Sequence, residues 1–165
     1  MGGYGSGRQG WRLVVEDGFK LNIYFLQREG LLNSRAGTLW WRDTATKERV
    51  ASVSYSSDLR GLAFTLTYST TVDGCNHHVR ETISLVTTGT NFGGIRYWWL
   101  CPGCFTRCGM LYLPYGRMYF RCRRCYNLTY QSSNESRKFD GLFRSIAEEL
   151  KMPFDAVKGA IKEWK

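Results

Sequence analysis

The chain has 165 residues, 43% of them hydrophobic and 22% charged. That is enough for one main core with an appendage, and the composition excludes collagenous and disordered classes. No apolar run reaches the roughly 18 to 20 residues that a membrane span needs. The N-terminus shows no basic segment followed by an apolar one, so the expectation is a cytoplasmic protein without a secretory signal. Lys and Arg number 23 against 14 Asp and Glu, a formal charge of +9. The excess is local: residues 1–95 hold ten basic and eight acidic side chains, residues 96–165 thirteen and six. No acidic residue lies between Glu81 and Glu135, whereas Arg96, Arg107, Arg117, Arg121, Arg123 and Arg124 do. A one-sign field of this kind attracts polyanions.

Residues 1–10, MGGYGSGRQG, contain five glycines and nothing that would anchor a core. They predict a flexible arm that could carry Arg8 and, just beyond it, Arg12 into a nucleic-acid groove. No Lys-Ser or Lys-Thr follows, which excludes a phosphate-cradling P-loop.

Residues 11–94 read as an antiparallel β-domain. Apolar residues alternate at Leu13 and Val15, at Leu21, Ile23 and Phe25, and at Leu39 and Trp41. Ala51, Val53 and Tyr55 continue the pattern, Leu62, Phe64, Leu66 and Tyr68 give its clearest stretch, and Val79, Ile83 and Leu85 its match. Period-2 alternation predicts half-buried strands. Asp73-Gly74 predicts a hairpin turn and Asp58 to Gly61 a second break. Five or six strands in a meander would leave an apolar face needing cover, from the sheet itself or from later helices. Asn91-Phe92-Gly93-Gly94 predicts the end of this domain.

Residues 95–133 carry the metal chemistry. Cys101-Pro102-Gly103-Cys104 and Cys122-Arg123-Arg124-Cys125 are two C-x-x-C pairs separated by seventeen residues. Four thiolates so spaced can close a tetrahedral shell around one structural Zn²⁺, leaving no open position for a catalytic water. Short β-like runs at Met110 to Leu113 and Met118 to Phe120, around Pro114-Tyr115-Gly116, predict a hairpin that brings the pairs together. Over residues 98–131 the segment resembles a zinc ribbon. It departs from that pattern where glycine usually follows the second cysteine of each knuckle, since Phe105 and Tyr126 stand there. Cys108, followed by Gly109, is an alternative to Cys104. The ligand set is read as Cys101, Cys104, Cys122 and Cys125, with Cys108 a buried spare thiol. A redox dithiol reading lacks its βαβ context and leaves the second pair unexplained.

Residues 134–165 predict a helical hairpin. Phe139, Phe143, Ile146 and Leu150 recur at helical spacing, and Pro153 opens a second helix with Phe154, Val157, Ile161 and Trp164 on one face. The pair weakly resembles a helix-turn-helix in which Lys151 replaces the usual turn glycine. The fold class is therefore α+β: an antiparallel β-sheet domain, a four-cysteine zinc ribbon and a C-terminal helical hairpin.

The whole chain resembles a widespread set of small bacterial and phage proteins that open with MGGYGSGR. The matching pieces are Met1 to Arg8, Gly93 to Trp99, Cys101 to Cys104, Cys122 to Cys125, and Leu128 to Ser132. The resemblance implies a phage or mobile-element setting. The residues themselves point to a non-enzymatic protein, because two histidines beside Cys75 and scattered carboxylates form no catalytic group. Nucleic acid, DNA in the first instance, is the expected partner, with Arg107, Arg117, Arg121, Arg123 and Arg124 holding phosphates. Five such contacts would give a slope near −4 to −5 for log K against log salt. The alternative is a protein-interaction module, such as a phage inhibitor of a host defence or nucleic-acid-binding complex.

Overall fold

The structure is a computed structural model that describes residues 12–43, 46–135, 140–153 and 155. The chain divides into two compact units, Met1–Leu128 and Thr129–Lys165. The expected arm with Arg8, and the expected apolar face from Phe154 to Trp164, lie outside the described residues, Asp155 apart.

The first unit is built on a six-stranded antiparallel sheet. Its strands are β2 (Ala36–Arg42), β3 (Arg49–Asp58), β4 (Ala63–Val72), β5 (Cys75–Gly89), β6 (Ile95–Leu100) and β7 (Arg107–Cys108), paired in chain order. The meander follows the alternation. Phe64 is paired with Ile83 and Tyr68 with Val79 across β4 and β5, and all four are buried. Asp73 and Gly74 join these strands with φ of 49° and 78°, the two left-handed residues of a type I′ turn. At the other break, Asp58 Oδ1 accepts from the amides of Arg60 and Gly61, an Asx turn that satisfies two loop donors. On the outer face polar side chains meet, as where the hydroxyls of Thr65 and Thr82 lie 2.9 Å apart.

The sheet runs through the segment expected to end the domain. β6 pairs with β5 from Leu85↔Trp99 to Gly89↔Ile95, so the first knuckle hangs directly from the sheet, and both knuckles belong to the same compact unit as β2 to β6.

Two expected strands are different. Leu13 lies in no strand; Val15 is buried with Tyr112 and Leu128. Leu21 is in β1 (Phe19–Asn22), but Ile23 and Phe25 are in helix α1 (Ile23–Arg28). Asn22 makes the switch: its side-chain oxygen accepts from the amides of Tyr24 and Phe25 at 3.0 and 3.5 Å, capping the helix. Ile23 and Leu26, three apart on one helical face, are then buried, while Phe25 turns outward. The apolar run fits either period, and the cap decides between them.

The cover for the sheet comes from this same unit. β1 pairs with β8 (Met110–Leu113) as a second, two-stranded sheet. Two indoles projecting from the large sheet bond carbonyls of β1, Trp41 to Lys20 at 3.1 Å and Trp99 to Leu21 at 3.2 Å. Between the layers lie Leu21, Ile23, Leu26, Phe64, Leu66, Ile83, Trp99, Leu111 and Phe120, each at most 2% exposed. Burial of side chains of this size contributes about 1.5–3 kcal/mol each.

The second unit contains α2 (Gln131–Glu135) and α3 (Asp140–Glu149). The helices described there are short, and a helical hairpin is not established among the described residues. α3 ends in a Schellman arrangement, in which Lys151 N–H donates to Glu148 and Met152 N–H to Ala147. Lys151 has φ 52° there, the conformation that glycine ordinarily supplies. No helix among the described residues is long and apolar enough to cross a membrane.

Candidate metal centre

Cys101 and Cys104 sit in the turn between β6 and β7. Trp99 is paired with Cys108 and Leu100 with Arg107, and the turn closes through Cys101 N–H to Thr106 and Phe105 N–H to Cys101. Phe105 takes φ 54° with its ring 72% exposed. It thus occupies the left-handed position where a ribbon knuckle usually has glycine, without burying its side chain. Gly103 is required for space, since a Cβ there would come within 2.8 Å of Arg121 Cδ and 3.1 Å of Cys125 Sγ.

The second knuckle starts from Arg121, which bridges to Tyr112 on β8 through reciprocal backbone bonds of 2.8 and 3.0 Å. The expected hairpin between Met110–Leu113 and residues 118–120 reduces to this bridge, and the other edge of β8 pairs with β1. In this knuckle the left-handed residue is Asn127, at φ 49°, rather than Tyr126. Asparagine tolerates that region better than most side chains.

The sulfurs of Cys101, Cys104, Cys122 and Cys125 all lie within 4.8 Å of one another and could hold one metal ion. Cys101 to Cys125 is 3.8 Å and Cys104 to Cys122 is 3.6 Å. These are too long for disulfides, and all six cysteines are thiols. Four sulfurs about 2.3 Å from a shared tetrahedral ion would be about 3.8 Å apart, so the donor set and its spacing fit such an ion. Cys101 and Cys122 are buried; Cys104 and Cys125 are exposed. Cys122 N–H donates to Cys101 Sγ at 3.2 Å. Hydrogen bonds from Thr106, through its side chain and its backbone, draw the Cys104 thiol down to about 6. Burial pushes the Cys122 thiol upward, a cost that a bound cation would offset by stabilising the thiolate. Cys108 lies outside the cluster and is half-buried, its thiol pushed up to about 12 by burial first and the neighbouring thiols second. Among the described residues no other group of three or more metal-ligating side chains occurs, the Cys75, His77 and His78 segment included.

The arginines expected to act together do not share one environment. Arg107, Arg117, Arg123 and Arg124 are exposed. Arg107 lies over Trp98 with 5.0 Å to the ring centroid, and Arg117 over Tyr126 with 5.9 Å. Arg12 is exposed as well. Arg121 instead turns inward, with Nη1 3.3 Å from Glu81 Oε2 and donating to the Phe120 carbonyl at 2.7 Å. Its charge is compensated inside the protein.

Glu81 is the residue that sequence reasoning missed. Its Oε1 accepts from Phe120 N–H at 2.8 Å and from the Tyr68 hydroxyl at 2.8 Å, and that hydroxyl is equally close to the Met118 carbonyl. A signal was present: Val79, Ile83 and Leu85 share one strand face, and Glu81 holds the skipped position on it. The aromatics also divide. Tyr112 and Phe120 are buried, while Phe105, Tyr115 and Tyr119 are exposed. Comparison of the chain with protein-family models, curated proteins and solved structures gives no match.

Proposed function

We propose that this is a non-enzymatic zinc protein that binds nucleic acid, DNA in the first instance, through the arginines around its knuckles. The resemblance noted above would place it in a bacterial or phage regulatory role. Zn²⁺ is the ion that four thiolates at tetrahedral spacing favour. Held by Cys101, Cys104, Cys122 and Cys125, it would tie the β6–β7 turn to the Arg121–Leu128 segment. The observation that carries the reading is the exposure of Arg107, Arg117, Arg123 and Arg124 in a stretch with no carboxylate from residue 82 to residue 134. Arginine there can grip phosphate in bidentate fashion.

Arg121 does not belong to the count, because Glu81 compensates it. Four phosphate contacts, in place of five, give an expected slope of about −3.6 for log K against log salt on duplex DNA. Replacing Arg123 and Arg124 with Ala should flatten the slope by about 1.8. Binding that ignores salt, or a slope that this double substitution leaves unchanged, would refute the reading.

A further inference from the structure

The outer side of β6 and the adjoining face of α1 carry a second group of arginines and rings. Trp99 points into the core, so its neighbour Trp98 and Arg96 project from the opposite face of the strand. Arg96 lies 5.7 Å from the Trp98 ring centroid and 5.8 Å from that of Tyr24. Arg107, paired across from Leu100, lies over the same indole. Tyr24 meets Trp98 edge-on at 5.6 Å. Its ring rests on Gly109, where a Cβ would come within 2.6 Å of it. The indole donates to the Thr88 hydroxyl at 2.9 Å.

Beside these rings is a cleft of about 390 Å³ lined by Tyr24, Gln27, Arg28, Thr90, Ile95 and Arg96. Gln27 donates to the Ile95 carbonyl at 3.0 Å and joins the two walls. Tyr24 is 41% exposed and Ile95 58%. Arg28 pairs with Glu29 at 3.0 Å. Among the described residues Arg96 and Arg107 pair with no carboxylate. Their guanidinium groups are held by ring faces and keep their charge toward solvent. A phosphate meeting them costs less side-chain ordering than one meeting arginines without such support.

We propose that this face binds single-stranded nucleic acid, with an unpaired base entering the cleft against Tyr24 and its phosphates on Arg96 and Arg107. The proposal rests on the nucleic-acid reading above and sharpens it. A duplex presents phosphates but keeps its base faces stacked, so the rings would add nothing to its binding. A single strand offers both groups, and stacking on an aromatic adds to the affinity whatever the base.

The test compares a fluorescently labelled single-stranded oligonucleotide with a blunt-ended two-strand duplex by anisotropy, using the zinc-loaded full chain. Tyr24→Leu keeps an apolar side chain against Trp98, loses the π face and changes no charge. The expected result is about tenfold weaker single-strand binding, with duplex binding changed less than about twofold. If Tyr24→Leu melts well below the wild type, Arg96→Gln on the exposed face of β6 serves instead, read as the ratio of single-strand to duplex affinity. A folded variant with an unchanged ratio, or a wild type that prefers the duplex, overturns the proposal. Weakening of both probes alike by Ala at Arg123 and Arg124 would then leave the broader nucleic-acid reading standing. A wild type that binds neither probe overturns both.

Discussion

Arg121 and Glu81 form an ion pair of 3.3 Å that ties the residue before the second knuckle to the middle of the longest strand. The carboxylate is 9% exposed as a residue and also accepts from Phe120 N–H. The pair therefore fixes where the segment carrying Cys122 meets the sheet. It also explains why one arginine of a basic segment is unsuited to a polyanion.

Burial is the largest influence on Glu81 and raises its carboxyl above the ordinary value near 4.5, against the opposing donors Phe120, Tyr68 and Arg121. The folded protein thus holds this proton more tightly than the unfolded chain does. The stabilisation is fully present below about pH 4.5 and is lost as pH rises through the raised value. Glu81→Gln removes this titration. In denaturant melts of zinc-loaded protein, the stability of wild type relative to Glu81→Gln should fall as pH rises from about 4.5. A difference that grows with pH would contradict the burial argument. Zinc content measured at each pH separates acid release of metal from this effect.

Purified protein should contain one zinc per chain, and Cys122→Ser should lose it together with the order of both knuckles. Structural zinc supplies about 10–16 kcal/mol of apparent binding free energy in small peptides at neutral pH, so its loss would greatly lower the melting temperature. Cys108→Ser should keep the metal, because that thiol is outside the cluster. Metal analysis of the two variants checks both statements at once.

Phe105→Gly should raise stability by about 1 kcal/mol, the cost of a left-handed backbone at a residue with a Cβ. The ring is 72% exposed, so little packing is lost. Gly103→Ala should act oppositely, since its methyl would crowd Cys125 Sγ and Arg121. Thermal melts with zinc content measured in parallel distinguish relieved strain from a changed metal site.

Lys151→Gly is expected to lengthen the lifetime of the α3 C-terminus, again by about 1 kcal/mol, because Lys151 closes a Schellman turn at φ 52°. Slower amide exchange at Leu150 and Met152, whose N–H groups bond back into the helix, is the readout. Unchanged exchange would place the helix end elsewhere in solution.

Local chemistry in the sequence was sufficient wherever an interaction spans a few residues or repeats with a fixed period. Alternation at Phe64, Leu66 and Tyr68 specifies a strand, Asp73-Gly74 its turn, and the two C-x-x-C pairs the four sulfurs that gather. Periodicity failed at Ile23 and Phe25, where a side-chain cap from Asn22 outweighs it. The partner of β8, the cover for the sheet and the fate of Arg121 depend on residues tens of positions apart. No short-range pattern encodes those distances. The sequence alone determined that the positive charge is concentrated near the cysteines; only the tertiary structure decided that Arg121 is withdrawn from it, because a carboxylate forty residues earlier in the chain folds back to compensate it.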